Sequence, residues 1–233
     1  MSEYLKNIIE NLERIEKEEE ENINKASRLV ADTIKNDGLI FVFGCGHSHL
    51  PGLDAFYRAG GLANVSPLLD TDLMLHNGAA KSSRMEKMSG IAPEVFRRYK
   101  LTPNDIIFVI SASGKNQVPV EMAEEAKKNG VKCIGISSSE YYEKGGRLHQ
   151  YVDIAIDCKV PYGDASVKVG SATMGGLSTY AACFILNTCL INGSKTALEE
   201  GTEPPVFMSG NVDGGKDFNI HLEELYLGRV KHL

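Results

Sequence analysis

Two short stretches of the chain carry the residue types that hold anions. Gly44-Cys45-Gly46-His47-Ser48 follows the apolar run Leu-Ile-Phe-Val-Phe, and Ser111-Ala112-Ser113-Gly114-Lys115-Asn116 follows Asp-Ile-Ile-Phe-Val-Ile. Glycines let a backbone approach a phosphate closely, and a helix beginning just beyond offers unpaired N–H groups and the positive end of its dipole. The hydroxyls of Ser48, Ser111 and Ser113 add neutral donors suited to a phosphate monoester. One such junction reads as a tight turn. Two of them point to a single phosphate gripped from two loops. Nucleotide motifs fit poorly: G-x-G-x-x-G starts with Gly44 and Gly46 but meets His49 at its third glycine position. No G-x-x-x-x-G-K-[ST] pattern follows a strand, which excludes a P-loop.

Loops of this kind lie beyond the carboxyl ends of parallel strands, so strands must stand behind them. Apolar runs without polar alternation predict strands at 39–43, 64–69, 105–111, 131–137 and 152–157, covered on both faces. Helical segments alternate with them at 50–58, 83–100 (with Gly90 and Pro93 as break points), 118–129 and 171–192. A Gly/Pro-rich stretch, 193–215, leads to a last helix at 217–231. Apolar residues at 5, 8, 9, 12 and 15, then 23, 26, 29, 30 and 34, predict one long or broken N-terminal helix over 3–36. The charged run 16–21 interrupts its stripe and reads as a solvated face or a kink. The expected fold class is α/β, a doubly wound parallel sheet flanked by helices. The chain reads as a single domain over 1–233: an N-terminal helix (1–36), an α/β core (37–193) and a C-terminal loop and helix (194–233).

Composition narrows the partners. At 42% hydrophobic, 233 residues can bury one sizeable core. No stretch approaches the roughly 20 apolar residues of a membrane helix, and Met-Ser-Glu-Tyr-Leu-Lys-Asn lacks a signal pattern, so a cytoplasmic location is expected. The five cysteines lie mostly inside apolar runs without a CxxC pair, which reads as reduced, buried thiols. A formal charge of −6 disfavours nucleic acid as a partner.

Ser111-Ala112-Ser113-Gly114-Lys115-Asn116, followed by a helix and a strand at 131–137, resembles the S-x-S-G-x-T signature of the sugar isomerase (SIS) domain, and Gly44–Ser48 resembles that family's first loop. The likeness extends over roughly 39–192. It is nearest to small, uncharacterised single-domain members, and more distant from N-acetylmuramic acid 6-phosphate etherases and phosphoheptose isomerases. It implies a five-stranded parallel sheet, a phosphorylated sugar as ligand, and a homodimer or homotetramer with a site shared between subunits. Gly46, His47, Ser48, Ser111, Ser113, Gly114 and Asn116 would hold the phosphate, with Asn116 replacing the usual threonine. Etherases similar to this chain carry a glutamate after Leu-Asp-Ala, whereas Leu53-Asp54-Ala55 is followed here by Phe56-Tyr57. Residues 169–174 resemble the etherase Gly-Ser-Thr-Arg-Met stretch without its arginine.

The resemblance implies an aldose–ketose sugar-phosphate isomerase, with a non-catalytic phosphosugar sensor or an etherase/lyase as alternatives. Moving a proton between adjacent carbons needs a base in a partly dry cleft. Glu86, after a polar loop, is the expected base, and its other reading is an exposed helix-start carboxylate beside Lys87. Asp70 and Asp72 are rivals or ordinary turn residues. For ring opening, His76 lies in the loop between Asp72 and Glu86, and His221 matches by position a histidine that some phosphosugar isomerases supply from a C-terminal helix. His149 and His232 read as exposed. Cys45-x-His47-x-His49 contains ligand types at a spacing that fits no familiar zinc site, so neither metal nor cofactor is expected.

Overall fold

The computed structural model describes residues 1–233. Five strands, β1 (Ile40–Gly44), β2 (Val65–Leu68), β3 (Ile106–Ile110), β4 (Lys132–Ser137) and β5 (Ile154–Asp157), form one sheet in the order β2-β1-β3-β4-β5. Every pairing is parallel, with Ile40 opposite both Val65 and Ile106. Alternate residues of a strand face opposite sides of a sheet. Ile40, Val42, Ile106, Phe108 and Ile110 accordingly join one apolar layer, and Phe41, Phe43, Ile107 and Val109 join the other. Both layers are dry, which explains the strands' lack of polar alternation.

The first layer is closed by α1 (Glu3–Glu18), α2 (Glu20–Lys35) and α7 (Ser178–Glu199), the second by α5 (Ile91–Arg97), α6 (Gln117–Lys128) and α8 (Gly215–Tyr226). The N-terminal helix breaks at Glu19, which ends α1 and starts α2 with φ −111°. The break has an ionic cause. Glu19 is buried, and its carboxylate meets Lys159 Nζ at 2.7 Å, with Asp157 at 3.2 Å and Glu18 at 3.3 Å from the same ammonium.

Two expectations need correction. The segment 83–100 is two helices, α4 (Ala79–Met85) and α5, separated at Gly90 with φ +87°; α4 also begins inside the stretch read as loop. The segment 171–192 is not helical from its start. Residues Ala165–Val169 (β6) and Ala172–Gly176 (β7) form an antiparallel hairpin, and α7 begins only at Ser178 and continues past Gly193. Asp164 ends the preceding turn and caps α7: its carboxylate accepts from the Leu177 and Ser178 N–H groups at 3.0 and 2.7 Å. The last helix covers 215–226 and gives way to a turn at 227–230. No helix is long and apolar enough to cross a membrane.

Candidate functional site

The strand order reverses direction between β1 and β3, so the loops leaving these two adjacent strands diverge to opposite faces and open a crevice. Both glycine-serine loops lie there. After β1 the chain passes Cys45 into a short turn of 3-10 helix, Gly46–His49, and then into α3 (Leu50–Ala55). Gly44 is required at the strand end: a Cβ there would lie 2.1 Å from the Ser48 carbonyl oxygen. That close approach folds Ser48 back over the strand. After β3, Gly114 has φ +57° and its N–H donates to the Ser111 carbonyl at 2.9 Å, which turns the loop sharply into α6.

The crevice is a cleft of about 300 Å³. Gly46, His47, Ser48, Glu86, Ser111, Ser113 and Asn116 all line it. The Oγ atoms of Ser111 and Ser113 accept from the N–H groups of Gly114 (3.2 Å) and Lys115 (3.4 Å), which leaves each hydroxyl proton free to donate to a ligand. Asn116 is the N-cap of α6 but makes no side-chain capping bond; its side chain lies beside the Glu86 carboxylate. The N-terminus of α6 opens beside it, a favourable place for an anion.

Glu86 is half-buried at the C-terminal end of α4. Its position is fixed by its own backbone, which donates to the Ser82 carbonyl at 3.0 Å and accepts from the Val118 N–H at 3.1 Å. Glu121 reinforces the turn: its carboxylate accepts from Ser89 and from the Gly90 N–H (2.8 Å), which ties the α4–α5 junction to α6. Burial raises the Glu86 carboxyl above the ordinary carboxylate range, and the nearby Asn116 amide and Lys87 only partly offset it.

The other sequence-named groups lie elsewhere. Asp70 caps a turn, accepting from the Asp72 N–H at 3.0 Å, and pairs with Arg98 at 3.0 Å; Asp72 pairs with Lys81 at 2.8 Å. Turn and ion-pair chemistry accounts for both. His76 is exposed with its ring 6.5 Å from that of His49, and His221 is exposed on α8; neither lines the cleft of its own chain. His49 turns Nδ1 onto the Gly46 carbonyl, and burial lowers its pKa. His149, read as exposed, is half-buried and stacks on Tyr142 at 3.6 Å. His232 is exposed, as expected, and its ring nitrogen meets the Tyr99 hydroxyl at 2.7 Å. Sequence reasoning missed Ser82, Ser83, Leu75 and Tyr141 as cleft residues. Only Tyr141 carried a usable signal, since it follows a strand's carboxyl end.

Paired serine loops at the switch point of a parallel sheet, with a half-buried carboxylate lining the cleft between them, place the chain among α/β proteins of the doubly wound class. The chain belongs to the SIS domain family, whose model matches residues 3–138. Over 99% of both chains it is 39% identical to a UPF0309 protein of Thermoanaerobacter pseudethanolicus. A UPF0309 protein of Halalkalibacterium halodurans is 38% identical, covering 97% of this chain and 94% of its own. Among solved structures, phosphoheptose isomerase of Neisseria gonorrhoeae superposes with a TM-score of 0.52 at 16% identity, covering 82% of this chain and 95% of that one. A Methanococcus jannaschii protein with an inferred 3-hexulose-6-phosphate isomerase function gives 0.51, also at 16% identity, covering 84% and 91%. At such identities the likeness shows a shared fold.

Proposed function

We propose that the cleft binds a phosphorylated sugar and that the protein interconverts an aldose phosphate and a ketose phosphate. One observation carries this reading: Glu86, a half-buried carboxylate whose pKa burial raises, lines the same cleft as Ser48, Ser111, Ser113 and Asn116 of the two phosphate loops. A sugar whose phosphate is held by Ser48, Ser111 and Ser113 would present its carbon chain to Glu86. Glu86 would take a proton from one carbon and return it to the next through an enediol. A carboxylate whose pKa is raised by burial suits this task, since it is a stronger base than an ordinary exposed carboxylate. The step needs no cofactor. The structural neighbours include a phosphoheptose isomerase, which supports the substrate class. Phosphosugars incubated with the protein and followed by NMR should show interconversion that Glu86→Gln abolishes. Full activity in that variant would remove Glu86 from the mechanism.

A homodimer or homotetramer with a shared site is part of this reading. The helix α8 exposes Phe218 and Leu225 on one side and Ile220 on the other, with Leu227 just beyond, apolar surface that favours association. His221 stands on the same helix and would open the sugar ring in a second chain's cleft. Mixing inactive Glu86→Gln and His221→Ala chains would then restore part of the activity. No recovery, with mixed oligomers demonstrated, would exclude sharing. The five unpaired cysteines, all buried except the half-buried Cys183, support a reducing, cytoplasmic setting. A second reading, sensing without turnover, is favoured by the placement of His76 and His221 outside the cleft. Thermal stabilisation by a sugar phosphate with no product formed would select it.

A further inference from the structure

One group in the cleft wall is left unexplained by both the phosphate loops and the base. Ser82 is 1% exposed, lines the cleft beside Glu86, and its Oγ has no hydrogen-bond partner. A helical serine ordinarily returns its hydroxyl to the carbonyl four residues back. Here the Gly78 carbonyl accepts from the Ser82 N–H at 2.9 Å and the hydroxyl stays unpaired. Buried polar groups are almost always bonded, and an unpaired one opposes folding. Three other buried polar atoms lack partners, Asn64 Oδ1, Ser66 Oγ and His149 Nδ1, and none of their residues lines this cleft.

The position of Ser82 says what it would meet. Ser82 and Glu86 are four residues apart, which puts them on one side of the α4 turn. Glu86 in turn lines the same cleft as Asn116, the end of the second phosphate loop. The helix α4 also packs against the 46–49 turn, so Ser82 and Glu86 stand together on the cleft wall beside the phosphate loops. A molecule anchored by its phosphate on Ser48, Ser111 and Ser113 would meet Glu86 and Ser82 together on that wall. Apart from His47, no basic residue lines the cleft, so a second anionic group beside Glu86 would be repelled.

We propose that Ser82 is a specificity-determining residue that hydrogen-bonds a neutral oxygen, a hydroxyl or carbonyl, on the carbon chain of the ligand beyond its phosphate. The role rests on the sugar-phosphate reading given above. It restricts the ligand class to phosphorylated polyhydroxy compounds that carry an oxygen on the carbon next to Glu86. It also explains why the protein keeps a costly unpaired hydroxyl: the ligand supplies the missing partner.

The test is Ser82→Ala in the full chain, with Ser82→Cys as a second variant of similar size and weak hydrogen bonding. Melting temperature and binding of inorganic phosphate are measured for each, then binding of the sugar phosphate that the wild-type protein holds most tightly. The expected result is an unchanged or higher melting temperature, phosphate affinity within twofold of wild type, and a tenfold or greater loss of sugar-phosphate affinity. Sugar-phosphate affinity within twofold of wild type in both variants would overturn the assignment. So would a parallel loss of stability and of inorganic phosphate binding, which marks a purely structural serine. If the wild-type protein holds no sugar phosphate more tightly than inorganic phosphate, the binding reading itself fails, and this role fails with it.

Discussion

Replacing Gly44 by alanine tests the phosphate cradle without touching a ligand-binding side chain. The added methyl would stand 2.1 Å from the Ser48 carbonyl oxygen, 2.3 Å from its carbon and 2.9 Å from the His49 nitrogen. All three are backbone atoms, so no rotamer change relieves the overlap. Bringing the closest contact from 2.1 to 3.0 Å displaces the turn by about 0.9 Å. A misplacement of about 1 Å in a positioned group costs on the order of 10²-fold. A hydrogen bond to a charged group is worth about 1.5–3 kcal/mol, which also corresponds to roughly 10–150-fold. Gly44→Ala should therefore weaken both sugar-phosphate and inorganic phosphate binding by about 10–100-fold. Overpacking of this kind costs about 1–3 kcal/mol, so the melting temperature should fall by roughly 2–12 °C for a chain of this size. Ser48→Ala is the comparator: it deletes the donor without backbone strain, so affinity should fall similarly while the melting temperature holds. Isothermal titration calorimetry with inorganic phosphate and differential scanning calorimetry measure the two effects. Phosphate binding within twofold of wild type in Gly44→Ala would refute the assignment of Ser48.

Further outcomes follow from burial and charge. Because Glu86 has a folded-state pKa above its unfolded value, the folded protein binds the proton more tightly, and stability falls as pH rises through that interval. Urea unfolding should find Glu86→Gln more stable than wild type at pH 7, with the gain vanishing below the ordinary carboxylate range; a less stable variant at pH 7 would contradict this. Lys159→Ala leaves the buried Glu19 and Asp157 carboxylates without their cation and should cost about 3–5 kcal/mol at neutral pH. Burial pushes the Asp157 carboxyl up, but hydrogen bonds from Ser139 and Lys159 together hold it below the ordinary range. Its contribution is thus present above about pH 4 and is lost as acid protonates it, which acid titration of wild type against Asp157→Asn would measure. Burial holds the thiols of Cys158 and Cys189 at about 12 and Cys183 at about 11, with Cys45 and Cys133 also raised. Thiol reagents at pH 8 should label the folded protein slowly and all five cysteines once it is denatured; fast labelling of Cys45 would show an open cleft floor.

The central sheet was legible because its strands are buried on both faces and so read as unbroken Val, Ile and Phe runs. The β6–β7 hairpin was not, for the opposite reason: its residues are half-buried or exposed, and none of them joins the core. Small residues leading into an apolar helix look helical when read locally. A signal was nevertheless present. Val169 pairs with Ala172 across Gly170-Ser171, and Gly170 takes φ +61°, as a two-residue hairpin turn with glycine in a central position requires. The break at Glu19 falls inside the charged run that reads as a solvated face or a kink, but its ionic cause was hidden, because Lys159 is distant in sequence and only the fold brings the two charges together.

The candidate site divides along the same line. Ser48, Ser111 and Ser113 could be read directly, since each follows a strand's end and the strand order carries it to the crevice. Glu86 could be read only as a carboxylate after a polar loop. Its burial, the Asn116 contact and the brace from Glu121 are all tertiary. Ser82 lay beyond reach: nothing in Ala79-Ala80-Lys81-Ser82-Ser83-Arg84 tells which serine turns inward. Helical spacing decides it, because Ser82 stands one turn before Glu86 and shares its face, whereas Ser83 is exposed at the rim. The residues that grip the phosphate are therefore set by strand ends. Those that would read the sugar are set by the rotation of α4, a short helix whose placement depends on the turn at Gly90 and its hold on Glu121. Selectivity among sugars should vary with substitutions in that turn, at Ser89 or Glu121, while affinity for phosphate itself does not.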